Sequence, residues 1–147
     1  MSEFDLHRST VRKLKRLGLL FTHPPNGGKR RPTEAIRLAA MGVQAGVPDL
    51  LIFTAPPSLP GVRGVAIELK VPHGRLSAGQ QQWLDALSAC RWLVSVCRTE
   101  AEVDHLLCVC GWSAGSAASA PVAVGVDRAE AGGAAPVVDE HQPTLAA

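Results

Sequence analysis

The composition of the chain changes abruptly after Trp112, and this change limits how much of the chain can fold. Of the last 37 residues, 22 are Ala, Gly, Ser or Pro, and neither Phe nor Trp occurs after Trp112. Such a segment cannot bury enough apolar surface to offset the entropy lost on ordering. We therefore expect one folded domain over residues 1–112 and a disordered Ala/Gly/Ser/Pro-rich tail over 113–147. Five valines in the tail leave room for one short strand.

The first 112 residues alternate between helical and strand-like patterns. Leu6, Leu14 and Leu17 fall on one face of a helix predicted over 3–17. Continuous or alternating apolar runs predict strands over 19–22, 49–53, 64–70 and 92–97. Further helices are predicted over 34–41, 78–90 and 100–110, capped by Thr33, Ser77 and Thr99. Strands punctuated by helices indicate an α/β domain built around a mixed sheet.

The folded part of the chain is basic. Residues 1–110 hold 14 Lys and Arg against 9 Asp and Glu, whereas the rest holds one Arg and four acids. The bases form two groups, a Pro- and Gly-rich loop over 23–32 and the helix face opposite the leucines. A solvated surface would look similar, but phosphate contact is the functional interpretation. The residues concerned are Lys29, Arg30 and Arg31 in the loop, and Arg8, Arg12, Lys15 and Arg16 on the helix.

Several classes of protein are disfavoured by the sequence. It has no run of about 18 apolar residues, which argues against a membrane span. Its first five residues include two acids and no apolar segment follows, so we expect a cytoplasmic protein of a bacterium or of a phage in its host. The four cysteines, Cys90, Cys97, Cys108 and Cys110, are then predicted to be free thiols. Without a Cys-x-x-Cys pair or clustered histidines, a zinc site is disfavoured.

Two acids and one lysine carry the strongest chemical signal. Asp49 opens one predicted strand, and Glu68 and Lys70 lie two apart on the next, so their side chains share a face. An unpaired carboxylate at Glu68 would be costly in its apolar sequence, and Mg²⁺ or Mn²⁺ would offset that cost, with the carbonyl of Leu69 as a further ligand. Lys70 would orient water or stabilise charge developing on a phosphate. The alternative is a Glu68–Lys70 ion pair on an edge strand.

Two other polar residues have both a structural and a functional interpretation. Glu3 lies on the leucine side of the first helix, where an acid in the first turn suits the helix dipole. Gln80 follows Ser77 at the spacing of a capping box. It also heads the helix face that carries Trp83 and Leu87, which suits a polar group directed toward a site.

The ordered set of motifs resembles a known family. Gly46-Val47-Pro48-Asp49-Leu50 followed by Ile67-Glu68-Leu69-Lys70 resembles the active-site pattern of the PD-(D/E)XK nucleases. Around it stand Pro24-Pro25-Asn26-Gly27-Gly28, then Gly74-Arg75-Leu76-Ser77, and then Gln80, Trp83 and Leu87. Together these resemble the VRR-NUC family, the virus-type replication-repair nucleases, over about residues 3 to 107. No single motif is specific, but the ordered set is.

This resemblance implies a PD-(D/E)XK nuclease-like core, a central mixed sheet flanked by helices, that hydrolyses DNA with Mg²⁺ or Mn²⁺. Asp49 and Glu68 match the family's metal ligands, and Lys70 matches its catalytic lysine. Glu3 matches the acid that opens the family's first helix and joins the metal site. Gln80 matches the glutamine that follows the Glu-Leu-Lys strand and is assigned to the catalytic set.

The resemblance also suggests a partner and an assembly. Asn26 joins the seven bases named above as a predicted DNA contact. Because phosphate contacts carry no sequence information, we expect structure-selective cleavage of branched DNA or four-way junctions, in replication, repair or recombination. Small members of the family resemble junction-resolving dimers, so we expect a homodimer. Its surface would lie on the Trp83 helix or on the last helix, with Val103, Leu106 and Leu107, unless these side chains complete the monomer's own core.

Two alternatives stay open at this point. The first is a nucleic-acid-binding module on the same fold that has lost catalysis, although the intact Asp49, Glu68 and Lys70 argue against it. The second is an unrelated small α/β domain in which the Glu-Leu-Lys sequence is accidental.

Overall fold

A computed structural model describes residues 1–24 and 31–112. Over these residues the chain forms helices and strands in the predicted order. They are α1 (Glu3–Arg16), β1 (Phe21–Thr22), α2 (Pro32–Ala40), β2 (Leu50–Ile52), β3 (Val65–Leu69), α3 (Ala78–Ala89), β4 (Leu93–Cys97) and α4 (Glu100–Val109). The predicted tail over 113–147 and the loop residues Asn26, Lys29 and Arg30 lie outside the described residues.

Local hydrogen bonds explain where most of these helices begin. Ser77 caps α3 by accepting from the amide of Gln80, and Thr99 caps α4 in the same way from Glu102. The predicted cap of α2 is wrong: its N-cap residue is Arg31, which makes no side-chain capping bond, and Thr33 lies inside the helix. Pro32 follows the cap directly, and its fixed φ angle suits the first helical turn. The proline therefore determines where α2 begins.

The four strands form one mixed sheet in the order β1-β2-β3-β4. The pairs β1–β2 and β2–β3 are antiparallel, whereas β3 and β4 are parallel and are connected through α3. Leu50 lies opposite Ile67, so one step further along the same register Asp49 lies opposite Glu68. Residues paired across an antiparallel ladder share one side of the sheet. The register alone therefore brings the two predicted metal ligands together.

The main apolar core lies between the sheet and helices α1 and α4. Strand β3 is buried at every position. Its residues Val65, Ile67 and Leu69 alternate toward one face, as predicted, and join Leu6 and Leu14 of α1 in this core. All five of these side chains are at most 2% exposed.

One face of helix α4 contributes to this core. Val103, Leu106 and Leu107 are all buried within the chain and belong to the main core cluster. Of the two alternatives for these side chains, the structure favours completion of the monomer's own core, because the amphipathic stripe of α4 packs against its own domain. An ion pair of 2.5 Å between Lys13 and Asp104 also joins α1 to α4.

The opposite side of β3 carries a charged residue into the interior. Ala66 and Glu68 alternate with the core-facing residues, and the side chain of Glu68 is 1% exposed. Helix α3 packs against the neighbouring strand β4 and covers this region. The sheet thus has one largely apolar face and one face on which a carboxylate is buried.

None of the helices over 1–24 and 31–112 combines the length and the apolar character needed to cross a bilayer. All four cysteines are free, and Cys97 and Cys110 are buried.

Candidate active site

Asp49 and Glu68 are tied together where β2 begins and β3 ends. The Oδ2 atom of Asp49 accepts a hydrogen bond of 2.8 Å from the amide of Leu69. In return, the backbone of Asp49 hydrogen-bonds to the carboxylate of Glu68. Each strand thus holds the acid of the other, and both carboxylates face one region.

Lys70 pairs with the buried acid. Its Nζ atom lies 2.6 Å from Oε1 of Glu68, and the two side chains are 12% and 1% exposed. The predicted period-two placement on one face is therefore observed. The predicted alternative, an ion pair on an edge strand, is wrong about the strand. Glu68 and Lys70 do form an ion pair, but β3 is an inner strand, since it lies between β2 and β4.

Gln80 makes both of the contacts that its position suggested. Its Oε1 accepts a bond of 2.9 Å from the amide of Ser77, which completes the capping box with the Ser77 hydroxyl. Its Nε2 donates to Oε1 of Glu68. One carboxamide therefore closes the first turn of α3 and fixes the buried acid.

The charges of the site are strongly coupled. Burial raises the pKa of Glu68 and the negative charge of Asp49 raises it further, while the hydrogen bond from Lys70 opposes both. Burial alone would lower the pKa of Lys70, but its ion pair with Glu68 outweighs burial, so this pKa lies above its ordinary 10.5. Lys70 is therefore an ammonium at neutral pH and acts as a fixed positive charge rather than as a proton acceptor.

Glu3 approaches this region from the first turn of α1. Its side chain is exposed, and its negative charge contributes to the raised pKa of Lys70. It likewise acts to raise the pKa of His7, one turn further along the helix. Glu3 thus adds negative charge at the edge of the site, in the neighbourhood that the family resemblance implies.

The predicted DNA contacts on α1 are available for binding. Arg8, Arg12, Lys15 and Arg16 are exposed. Among the described residues, none of these four bases forms a salt bridge; Lys13 instead pairs with Glu100 and Asp104. Arg31 is exposed at the start of α2.

Two histidines at the site were not among the predicted residues. His7 is half-buried on α1, and His23 directly follows β1. Their rings meet edge to face with centroids 4.4 Å apart, and Nδ1 of His23 lies 2.7 Å from the carbonyl oxygen of Asp49. Burial and the neighbouring His23 lower the pKa of His7, against the opposing charges of Asp49 and Glu3. The four-residue spacing of Glu3 and His7 on one helix was the available sequence signal.

At Gly46 the backbone of the loop before Asp49 passes close to the backbone of helix α3. Gly46 has a φ angle of +84°, which favours glycine. A Cβ atom added there would lie 2.6 Å from the carbonyl carbon of Gly79 and 2.9 Å from the amide nitrogen of Gln80. These neighbours are backbone atoms of the capped first turn of α3, so they cannot move aside easily. Gly46 therefore sets the distance between the Asp49 loop and Gln80.

Gly46→Ala is expected to destabilise the protein by about 2–4 kcal/mol, from left-handed strain plus overlap with backbone. Gly42→Ala is the matched control, because Gly42 also has a positive φ of +87° but nothing lies within 4 Å of its added Cβ. It should lose only about 1 kcal/mol. Urea denaturation of both variants measures the difference. Equal losses would show that the close approach of Gly46 to α3 contributes nothing.

Comparison with known proteins agrees with this architecture. The family model named VRR-NUC domain matches residues 6–101. A solved structure described as a VRR_NUC domain protein superposes with a TM-score of 0.58 at 21% identity, covering 73% of this chain and 85% of that one. At this identity the likeness concerns the fold, a mixed sheet flanked by helices. None of the curated proteins compared with the chain matches it significantly.

Proposed function

The chain belongs to the VRR-NUC family, a nuclease-type family, and on that premise we propose that it is a metal-dependent nuclease that hydrolyses phosphodiester bonds in DNA. One observation carries the proposal: Asp49, Glu68 and Lys70 converge at the end of β3, within a network that Gln80 completes. An ion pair with a purely structural role would not require a second acid directly opposite the first.

The residues at this point fit a divalent cation. Carboxylates and a backbone carbonyl are the oxygen ligands that Mg²⁺ and Mn²⁺ accept. Asp49 and Glu68 would hold the ion, with Glu3 and the carbonyl of Leu69 as further ligands. The pKa of Glu68 is raised by burial and by Asp49, so a further positive charge beside these two acids would stabilise their ionised forms. The chemistry that such an ion supplies is polarisation of a phosphoryl oxygen and a lowered pKa for water.

The chain's own residues would position and neutralise the reacting groups. Lys70, whose pKa is raised by its pairing with Glu68, carries an ammonium at neutral pH that can orient a water molecule or stabilise negative charge developing on the phosphate. Gln80 holds Glu68 in place by donating to it, so that the acid does not rotate away from Asp49. The rigid strands supply the alignment that an in-line displacement needs.

The basic surfaces support a nucleic-acid substrate. Four exposed bases lie along α1, and the first turn of the same helix carries Glu3 at the edge of the site. Arg31 stands at the start of α2, and Asn26, Lys29 and Arg30 precede it in sequence. Because such contacts go to phosphates, selectivity would follow the shape of the DNA rather than its sequence. Branched DNA and four-way junctions are the proposed substrates.

Neutralising Lys29, Arg30 and Arg31 together is expected to weaken DNA binding and to flatten its salt dependence. Loss of three phosphate contacts lowers the slope of log K against log salt by about 2–3 units. The measurement is binding to a labelled duplex across a salt series. Neutralising Arg63 and Arg91 is the control, since these exposed residues precede β3 and β4, at the opposite end from the site. An unchanged slope in the triple variant would exclude the loop from the DNA surface.

A junction has two strands to cut, and one chain carries one set of Asp49, Glu68 and Lys70. We therefore propose a homodimer that makes paired nicks, since a two-fold dimer presents two sites in matching orientation. Val103, Leu106 and Leu107 of α4 are buried in the monomer's own core. The half-buried Trp83 on α3 therefore remains as the proposed dimer contact.

The proposed function is tested with labelled single strand, duplex, flap, splayed arm and four-way junction, each with Mg²⁺ and with EDTA. We expect cleavage with Mg²⁺ only, preferring branched substrates, and a mass near twice 15.5 kDa by light scattering. Binding without cleavage of any substrate in Mg²⁺, and again when Mn²⁺ replaces Mg²⁺, would favour an inactive nucleic-acid-binding module. A strict monomer that cuts flaps or ends but leaves junctions whole would overturn the junction proposal alone.

A further inference from the structure

Two histidines lie beside the oxygen ligands of the proposed nuclease centre. His7, His23 and Asp49 each offer a ligand atom, and these atoms all lie within 4.8 Å of one another. The three residues come from α1, from the end of β1 and from the start of β2, so the fold itself brings them together.

The orientation of His23 resembles that of a metal-bound imidazole. Its Nδ1 lies 2.7 Å from the carbonyl oxygen of Asp49, and a carbonyl can only accept. Nδ1 therefore donates to this carbonyl, which leaves Nε2 as the ring nitrogen that can serve as a metal ligand in the neutral tautomer. Ligating histidines commonly donate their other ring N–H to a carbonyl or carboxylate, which fixes both tautomer and orientation.

His7 is held against His23 by an edge-to-face contact on a rigid helix. The ring of His7 is half-buried, whereas that of His23 is exposed. Two imidazoles and a carboxylate thus meet where solvent and ions can reach them, since His23 is exposed and the other two residues are half-buried.

We propose that His7, His23 and Asp49 form a binding site for a first-row transition-metal dication, with Zn²⁺ as the probe. Imidazole suits Zn²⁺ and similar ions, whereas Mg²⁺ prefers oxygen ligands. Three protein ligands with an open fourth position are also the pattern of reactive rather than purely structural zinc sites. The site goes beyond the proposed nuclease function and does not depend on it, although Asp49 belongs to both ligand sets.

The test uses the full chain, stripped of metal and titrated with Zn²⁺ in excess Mg²⁺. Binding is followed by calorimetry and by the NMR signals of the histidine rings. We expect one zinc ion that shifts the ring signals of His7 and His23 and leaves those of the exposed His73 and His105 in place. His7→Ala and His23→Ala should each weaken zinc binding about tenfold or more, whereas His73→Ala and His105→Ala should not.

Two further variants separate this site from its neighbours. Replacing the exposed Cys90 and Cys108 by serine should leave zinc affinity unchanged, and a loss of binding there would assign the ion to thiols and overturn the proposal. Lys70→Ala should keep the zinc site while losing cleavage, so failure of the nuclease proposal and failure of this one are told apart. Zinc that shifts neither His7 nor His23 in the wild-type protein would overturn the proposal without relying on any variant.

Discussion

Lys70→Ala, Asp49→Ala and Glu68→Ala are each expected to lower the rate of DNA cleavage at least about 10²–10³-fold, the effect of removing one preorganised electrostatic group from a site. DNA affinity should change little, because the phosphate contacts lie on α1 and in the basic loop. Single-turnover cleavage of the best substrate with Mg²⁺ measures the rate, and a binding assay in Ca²⁺ or EDTA measures the affinity.

Asp85→Ala is the matched control for this experiment. Asp85 is an exposed acid on α3 whose carboxylate accepts a bond of 2.8 Å from Gln81, away from the site. Its removal should leave cleavage at the wild-type rate. Wild-type turnover in any of the three site variants would remove that residue from the proposed catalytic set.

The second large effect concerns stability. Lys70→Met should lower the free energy of unfolding at neutral pH by about 3 kcal/mol, because it leaves the carboxylate of Glu68 buried without its cation. Glu68→Gln combined with Lys70→Met should recover most of this loss, since no buried charge then remains. Urea denaturation in EDTA, so that no divalent cation replaces the ammonium, measures both variants.

The loss should depend on pH in a defined direction. The pKa of Glu68 is raised in the folded protein, so the folded state binds a proton more tightly than the unfolded state. In Lys70→Met the group that opposes this rise is gone, and the pKa rises further. The loss of stability relative to the wild type should therefore shrink as the pH falls through the raised pKa and should be smallest below the ordinary value of 4.5. A loss that stays constant from neutral to acidic pH would contradict this account.

The features predicted correctly are mostly those that depend on residues close together in sequence. The period of two on β3 gave the shared face of Glu68 and Lys70, and the capping residues Ser77 and Thr99 gave the starts of α3 and α4. The predicted helix cap at Thr33 was wrong because the fixed φ angle of Pro32 determines the first turn of α2.

Other features depend on contacts distant in sequence. The apolar stripe of α4 has the same pattern whether it faces a partner or its own core, so only the packing of Val103, Leu106 and Leu107 against α1 and the sheet decides between them. His23 reaches Asp49 because β1 pairs with β2, and His7 meets His23 from helix α1; the sequence predicts the strand over 19–22 but not the element with which it pairs.

The double contact of Gln80 makes the site sensitive to the local stability of one helical turn. The carboxamide of Gln80 accepts a hydrogen bond from the amide of Ser77 and donates one to Glu68. Fraying at the start of α3 therefore breaks both hydrogen bonds at once. Helix ends open far more readily than whole domains unfold. The population of frayed α3 thus sets a ceiling on the fraction of molecules whose buried acid is correctly oriented, even while the domain as a whole remains folded.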